Sequence, residues 1–144
     1  MKKPFGFTMI ELLIVIAVIG VLASMGLIAF TGQQKSARDT QRKSDLQQYR
    51  IALENYATAN NSAYPGGTDM AVNNLCAGGG ALVNFMSGCP AGSPYTYQYT
   101  LVGSGYVLWV ELERSGNNWV FCSGGKSGER TKTNFSAADG VCPI

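Results

Sequence analysis

LLIVIAVIGVLASMGLIAF, from Leu12 to Phe30, is nineteen residues without a charge, and the charge-free stretch continues to Gln34. At about 1.5 Å per residue the run makes roughly 28 Å of helix, enough to cross a bilayer core of about 30 Å. A helix buried in a soluble core rarely lacks polar relief all round its circumference. The run therefore reads as a membrane span. Ahead of it stand MKKPFG, with Lys2 and Lys3, and then Phe7, Thr8, Met9, Ile10 and Glu11. A secretory signal peptide has a shorter apolar core and a small-residue cleavage site after it. Ser24, Met25 and Gly26 offer a weak version of such a site, but that reading leaves Glu11, a carboxylate at the edge of the run, unexplained.

Downstream, GQQKSARDTQRKSDLQQYRIALENYATANNSAYP (Gly32 to Pro65) favours helix and holds no proline before Pro65. Leu46, Tyr49, Leu53, Tyr56 and Ala57 recur at helical spacing and form one apolar stripe. Span and stripe together predict one continuous helix of about fifty residues, roughly 75 Å long. Such a rod cannot bury itself in one small domain, so half of it must be held by lipid or by copies of itself. Ile51 falls off the stripe, as a lone exposed residue or as part of a second packing face.

NNSAYPGG, from Asn60 to Gly67, is turn chemistry that ends the helix. The stretch to Pro94 lacks a long periodic element, although Ala81 to Met86 suits a short helical turn. TYQYTLV, GYVLWVELER and NNWVFCS then alternate bulky and polar residues, and predict a three-stranded antiparallel meander from about Tyr95 to Ser123. The expected fold class is α+β, with the helical stripe packed on a small antiparallel sheet of three to four strands. The tail from Gly124 to Ile144 reads as irregular.

Composition narrows the function classes. With 144 residues there is room for one modest domain. A formal charge of +2 is too small to announce nucleic acid as the main partner. Histidine is absent, which removes Ser/His and Cys/His nucleophile pairs and His-ligated zinc. No cofactor is indicated, and the chain does not read as an enzyme. Cys76, Cys89, Cys122 and Cys142 form an even set without a CxxC pair, so disulfides are expected and metal ligation is not. Three connectivities are open. Neighbour pairing, Cys76 with Cys89 and Cys122 with Cys142, staples the two segments with least secondary structure, each bridge being worth roughly 3 kcal/mol in the chain-entropy model.

Lys35, Arg38, Arg42, Lys43 and Arg50 after the span would place the C-terminal domain in the cytoplasm on a simple count of positive charge. The cysteines require an oxidising compartment and argue the opposite way. They carry more weight, because long C-terminal domains translocate largely regardless of flanking charge.

A short basic leader, a glycine, a phenylalanine and TMIELLIVIAVIGVL together resemble the N-terminus of type IV pilins and pseudopilins, and ARDTQRKSDLQQYRIALENYATANNSAYP resembles the second half of that family's long helix. The resemblance covers roughly the first 65 residues; beyond Gly66 it is one of architecture. It implies that a membrane-embedded aspartyl prepilin peptidase cuts after Gly6 and methylates the new amine of Phe7. It also implies that Glu11 is the family's assembly carboxylate. The chain then divides into a leader (1–6), an apolar transmembrane and assembly helix (7–34) and a head (35–144). The head comprises an amphipathic helix (35–60), a loop (61–94), the meander (95–123) and a disulfide-pinned tail (124–144). Implied partners are copies of the chain in a helical filament, the peptidase, an inner-membrane platform protein and an assembly ATPase. The implied location is the inner membrane before assembly, with the C-terminal domain outside, then the cell surface or a periplasmic filament.

Physical chemistry supports the role of Glu11 separately. A carboxylate near hydrocarbon is costly unless paired. Cleavage would create the partner, because the Phe7 nitrogen is an uncharged amide before it and an ammonium after it. Many major pilins carry a proline in the second half of the apolar run, but residues 12 to 34 hold none. That departure makes local melting of the helix less expected and a pseudopilin or minor pilin more plausible. Lys126, Arg130 and Lys132 are the candidates for DNA contact, with Glu129 among them weighing toward an ordinary solvated loop. Asp69, Glu111, Glu113, Glu129 and Asp139 are scattered candidates for calcium. Asn60 and Asn134 each begin a short glycosylation-like pattern. Without residues 1 to 6 the chain is formally neutral: Lys35 to Arg50 carries five basic and two acidic residues, a surplus that suits meeting acidic residues of another copy.

Overall fold

The computed structural model describes residues 6–90, 96–131 and 142, less the side chains of residues 25–29. Helix α1 runs unbroken over Met9–Ala59, 51 residues, with no proline to interrupt its hydrogen-bond ladder. Its two halves differ in surroundings. From Phe7 to Leu22 the large apolar side chains stand open, with Phe7 88% and Leu22 64% exposed. From Asp39 onward one face is buried, and Leu46, Tyr49 and Leu53 are fully enclosed. The stripe read from the sequence is thus the face on which the sheet packs, and Ile51 lies off it, 53% exposed.

The sheet has five antiparallel strands in the order β1-β2-β3-β4-β5, one more than the upper expectation. These are β1 (Met70–Ala71), β2 (Gln98–Val102), β3 (Gly105–Glu111), β4 (Asn118–Cys122) and β5 (Ser127–Arg130). β2, β3 and β4 are the anticipated meander, in a register that sets Tyr99 opposite Leu108 and Leu108 opposite Phe121. Gly103 and Gly116 take positive φ of 59° and 69° in its two connections, where a side chain would be strained.

Two segments read as irregular are ordered. The loop 61–94 contains β1 and a short helix α2 (Asn73–Cys76), and the tail begins with β5. β1 has only two residues, too few for alternation to show, and is fixed by pairing Met70 with Tyr99 and Ala71 with Gln98. β5, Ser-Gly-Glu-Arg, has no residue of high strand propensity and is held by its pairing with β4. Ala81 to Met86 forms hydrogen-bonded turns, with Val83 N–H donating to Gly80 O at 3.1 Å and Phe85 N–H to Leu82 O at 2.9 Å.

The core between α1 and the sheet is rich in tyrosine. Tyr49, Tyr97, Tyr99 and Tyr106 are all buried, and each hydroxyl finds an acceptor. Tyr97 donates to Asp45 at 2.5 Å, Tyr106 to Glu54 at 2.9 Å and Tyr99 to Pro65 O at 2.6 Å. The helix therefore presents carboxylates as well as apolar groups to the sheet, which satisfies phenols that would be costly to bury alone. Burial pushes the Tyr49 phenol up to about 12, with Asp45 adding to the effect, and raises those of Tyr97, Tyr99 and Tyr106 further.

Candidate processing and assembly site

Gly6, Phe7 and Thr8 precede α1 in non-helical backbone. Thr8 is the N-cap, extended at φ −82° and ψ 150°. Its hydroxyl oxygen accepts from Glu11 N–H at 3.3 Å, while its own N–H and hydroxyl donate to Glu11 Oε2 at 2.9 and 2.8 Å. This is a complete capping box, in which each partner satisfies a backbone donor that the helix cannot. Glu11 is thus held by its own chain, and Phe7 is exposed. The Thr8-x-x-Glu11 spacing is legible in the sequence as a capping signature, yet the reading by residue role passed over Thr8.

At the junction of rod and head a second polar group forms. Asp39 and Arg42, both buried, face the hairpin between β3 and β4. Arg38 reaches Glu113 Oε1 at 2.6 Å, and Arg42 reaches Glu113 Oε2 at 3.1 Å and Glu111 O at 2.5 Å. Hydrogen bonding by Arg38, the largest influence, holds the Glu113 carboxyl below its ordinary range. Part of the basic surplus of Lys35 to Arg50 is therefore spent inside the chain, which corrects the expectation that it is available to meet another copy.

The remaining candidates disperse. Lys126 and Arg130 are exposed at opposite ends of β5, and Lys132 lies outside the described residues. Glu129 between them accepts from Asn117 Nδ2 at 3.0 Å. Lys43 Nζ sits 4.0 Å over the Trp119 ring instead of joining them. Of the calcium candidates, Asp69 accepts from Thr100 at 2.7 Å, Glu113 is bound by arginines, and Asp139 lies outside the described residues. Among the described residues no group of His, Cys, Asp and Glu is placed to hold a metal ion. Asn60 caps α1, its amide donating to Tyr56 O at 2.8 Å, and Asn134 lies outside the described residues. Cys76 is bonded to Cys89 and Cys122 to Cys142, with Cα separations of 5.7 and 5.9 Å.

Residues 1–27 match the model of the prokaryotic N-terminal methylation motif. The chain carries this motif and is similar to fimbrial and secretion-system proteins. A probable minor fimbrial protein of Dichelobacter nodosus is 43% identical over 54 residues, 38% of this chain and 34% of the relative. The chain thus matches about a third of that relative's length. The type II secretion system core protein G of Aeromonas hydrophila is 28% identical over 128 residues, covering 89% of this chain and 79% of the relative. Its Klebsiella pneumoniae counterpart is 29% identical over 129 residues, covering 90% and 81%. No solved structure matches the chain. Among the described residues no helix is long and apolar enough to cross a membrane; the side chains of residues 25–29, inside the Leu12–Phe30 run, lie outside that description.

Proposed function

We propose that the chain is a structural filament subunit, made as a membrane-anchored precursor, cut between Gly6 and Phe7, methylated on Phe7 and assembled through the N-terminal half of α1. The observation that carries this reading is the division of α1. One half packs a head, and the other leaves its large apolar side chains from Phe7 to Leu22 exposed among the described residues, with the Thr8–Glu11 box at its start. So long an apolar surface needs lipid first and neighbouring helices afterwards. Catalysis in this scheme belongs to the processing peptidase, and the chain is its substrate.

Within the family the similarity reaching through the head is to secretion-system core proteins, whereas that to the minor fimbrial protein covers 54 residues. The unbroken α1 agrees with the missing proline. Both features favour a pseudopilin-like subunit over a major pilin. The platform protein and assembly ATPase follow from the family alone.

Co-expression of the full chain with a prepilin peptidase in a bacterial inner membrane tests the reading. Mass spectrometry should find a mature N-terminus at methylated Phe7, and electron microscopy should find filaments containing the chain. A chain that stays uncut in the membrane would overturn it.

A further inference from the structure

The side chain that fixes the start of α1 lies one residue beyond the bond between Gly6 and Phe7. An α-helix begun two residues earlier would tie the Gly6 carbonyl to the Ile10 N–H, in the i to i+4 ladder. Hydrolysis needs that carbonyl free. Water adds to the Gly6 carbonyl carbon, the C–N bond breaks, Gly6 leaves with the leader as a carboxylate, and Phe7 keeps the nitrogen as an ammonium. Met9, Ile10 and Leu12 are apolar, and lipid rewards any backbone that bonds to itself, so the surroundings press the helix to extend toward the leader. The box resists this. The first ladder bond runs from Leu12 N–H to Thr8 O at 3.3 Å, and Thr8 and Glu11 satisfy each other's backbone donors.

We propose that Thr8 is a positioning residue for leader removal: its box with Glu11 holds the helix start at Met9 and keeps the Gly6–Phe7 peptide outside the helical ladder and open to the peptidase. This rests on the reading of the chain as a processed precursor. It separates two duties of Glu11, since the box needs an acceptor at that position, whereas filament assembly needs a charge. Thr8 lies far from the buried core, so its replacement leaves the head folded.

The test follows leader loss by pulse-chase and intact mass in membranes containing peptidase and full-length precursor. Thr8→Ala, which favours a helix interior over a cap, should be cut about fivefold to tenfold more slowly than the unaltered chain. Thr8→Ser, which keeps the cap oxygen, should restore the rate to within about twofold. Glu11→Gln, which keeps an acceptor and loses the charge, should be cut at the unaltered rate. Equal cutting of the alanine variant, or equally slow cutting of the serine variant, overturns the proposal. Failure of the unaltered precursor to be cut overturns instead the reading on which it rests.

Discussion

The carboxylate of Asp39 accepts the backbone N–H of Glu113, 2.6 Å from Oδ1, and its second oxygen accepts that of Arg114 at 3.0 Å. A helix side chain thereby caps the turn of a hairpin more than seventy positions away in sequence. Arg42, one helical turn on, stands 3.3 Å from Asp39 Oδ1 and donates to Glu111 O. The rod is thus fastened to the head at the point where it leaves it. Asp39→Ala would strand two amides and take one carboxylate partner from the buried Arg42 guanidinium, which keeps Glu113 and Glu111 O, and should destabilise the head by about 2–4 kcal/mol. Chemical denaturation of the detergent-solubilised chain, followed by Trp119 fluorescence, checks this. A loss below about 0.5 kcal/mol would show the clamp to be energetically idle.

The tyrosine-rich core predicts an alkaline limit. Burial raises the Tyr49, Tyr97, Tyr99 and Tyr106 phenols above their ordinary value of 10. A group whose folded pKa is raised contributes stability that is full below the unfolded pKa and is lost as pH rises through the folded one. The head should therefore hold its stability up to about pH 10 and lose it steeply above, with phenolate absorbance and unfolding appearing together. Tyr106→Phe should weaken this alkaline sensitivity. Phenolate absorbance that develops fully before any loss of structure would contradict the assignment.

The parts of the fold that were legible are those where periodicity is long enough to count. Leu46, Tyr49 and Leu53 repeat over two turns, and Tyr106, Leu108 and Val110 alternate within one strand, so both elements declare their buried faces. β1 and β5 have no such pattern, because their conformation is imposed by neighbours already in place. Asp39 and Arg42 were hidden differently. In sequence they belong to a run of charges that looks solvated, and their burial depends on a hairpin arriving from residues 111 to 114. Gly6, Phe7 and Glu11 were read by spacing and family resemblance, whereas Thr8 required asking where the first helical N–H groups find acceptors.

The two disulfides should contribute unequally to order. Cys122 ends β4 and packs with Val107 and Val120, joined by the partly buried Cys142, in a small cluster separate from the main core. Removing this bridge by Cys142→Ser loses the loop constraint and the packing, and should cost about 3 kcal/mol or more. Cys76 belongs to the main core, whereas Cys89 is exposed, so Cys89→Ser should cost the loop term with less packing. Denaturation midpoints of the two variants, compared under identical detergent conditions, should rank Cys142→Ser as the less stable. The reverse order would mean that the cluster around Val107 and Val120 stands without its bridge.

On the proposed function, Glu11 would link processing to assembly through a change of partner. Before cleavage its carboxylate is engaged by Thr8 in the same chain. Cleavage as proposed would free a charged amine at Phe7, and a neighbouring subunit displaced along the filament axis would bring that ammonium to Glu11 more favourably than a neutral amide. Glu11→Val keeps the Thr8 hydroxyl as acceptor for the residue 11 N–H but removes the acceptor of the Thr8 donors, and it makes the segment more apolar, so membrane insertion should persist and leader removal should slow yet still go to completion. Filaments should be lost, because no carboxylate remains to hold the amine of the next subunit in lipid. Membrane fractionation, intact mass and electron microscopy of the same cells separate the three steps. Filaments of normal number and length from the valine variant would show that apolar packing of α1 alone drives assembly and that the ammonium–carboxylate pair is dispensable.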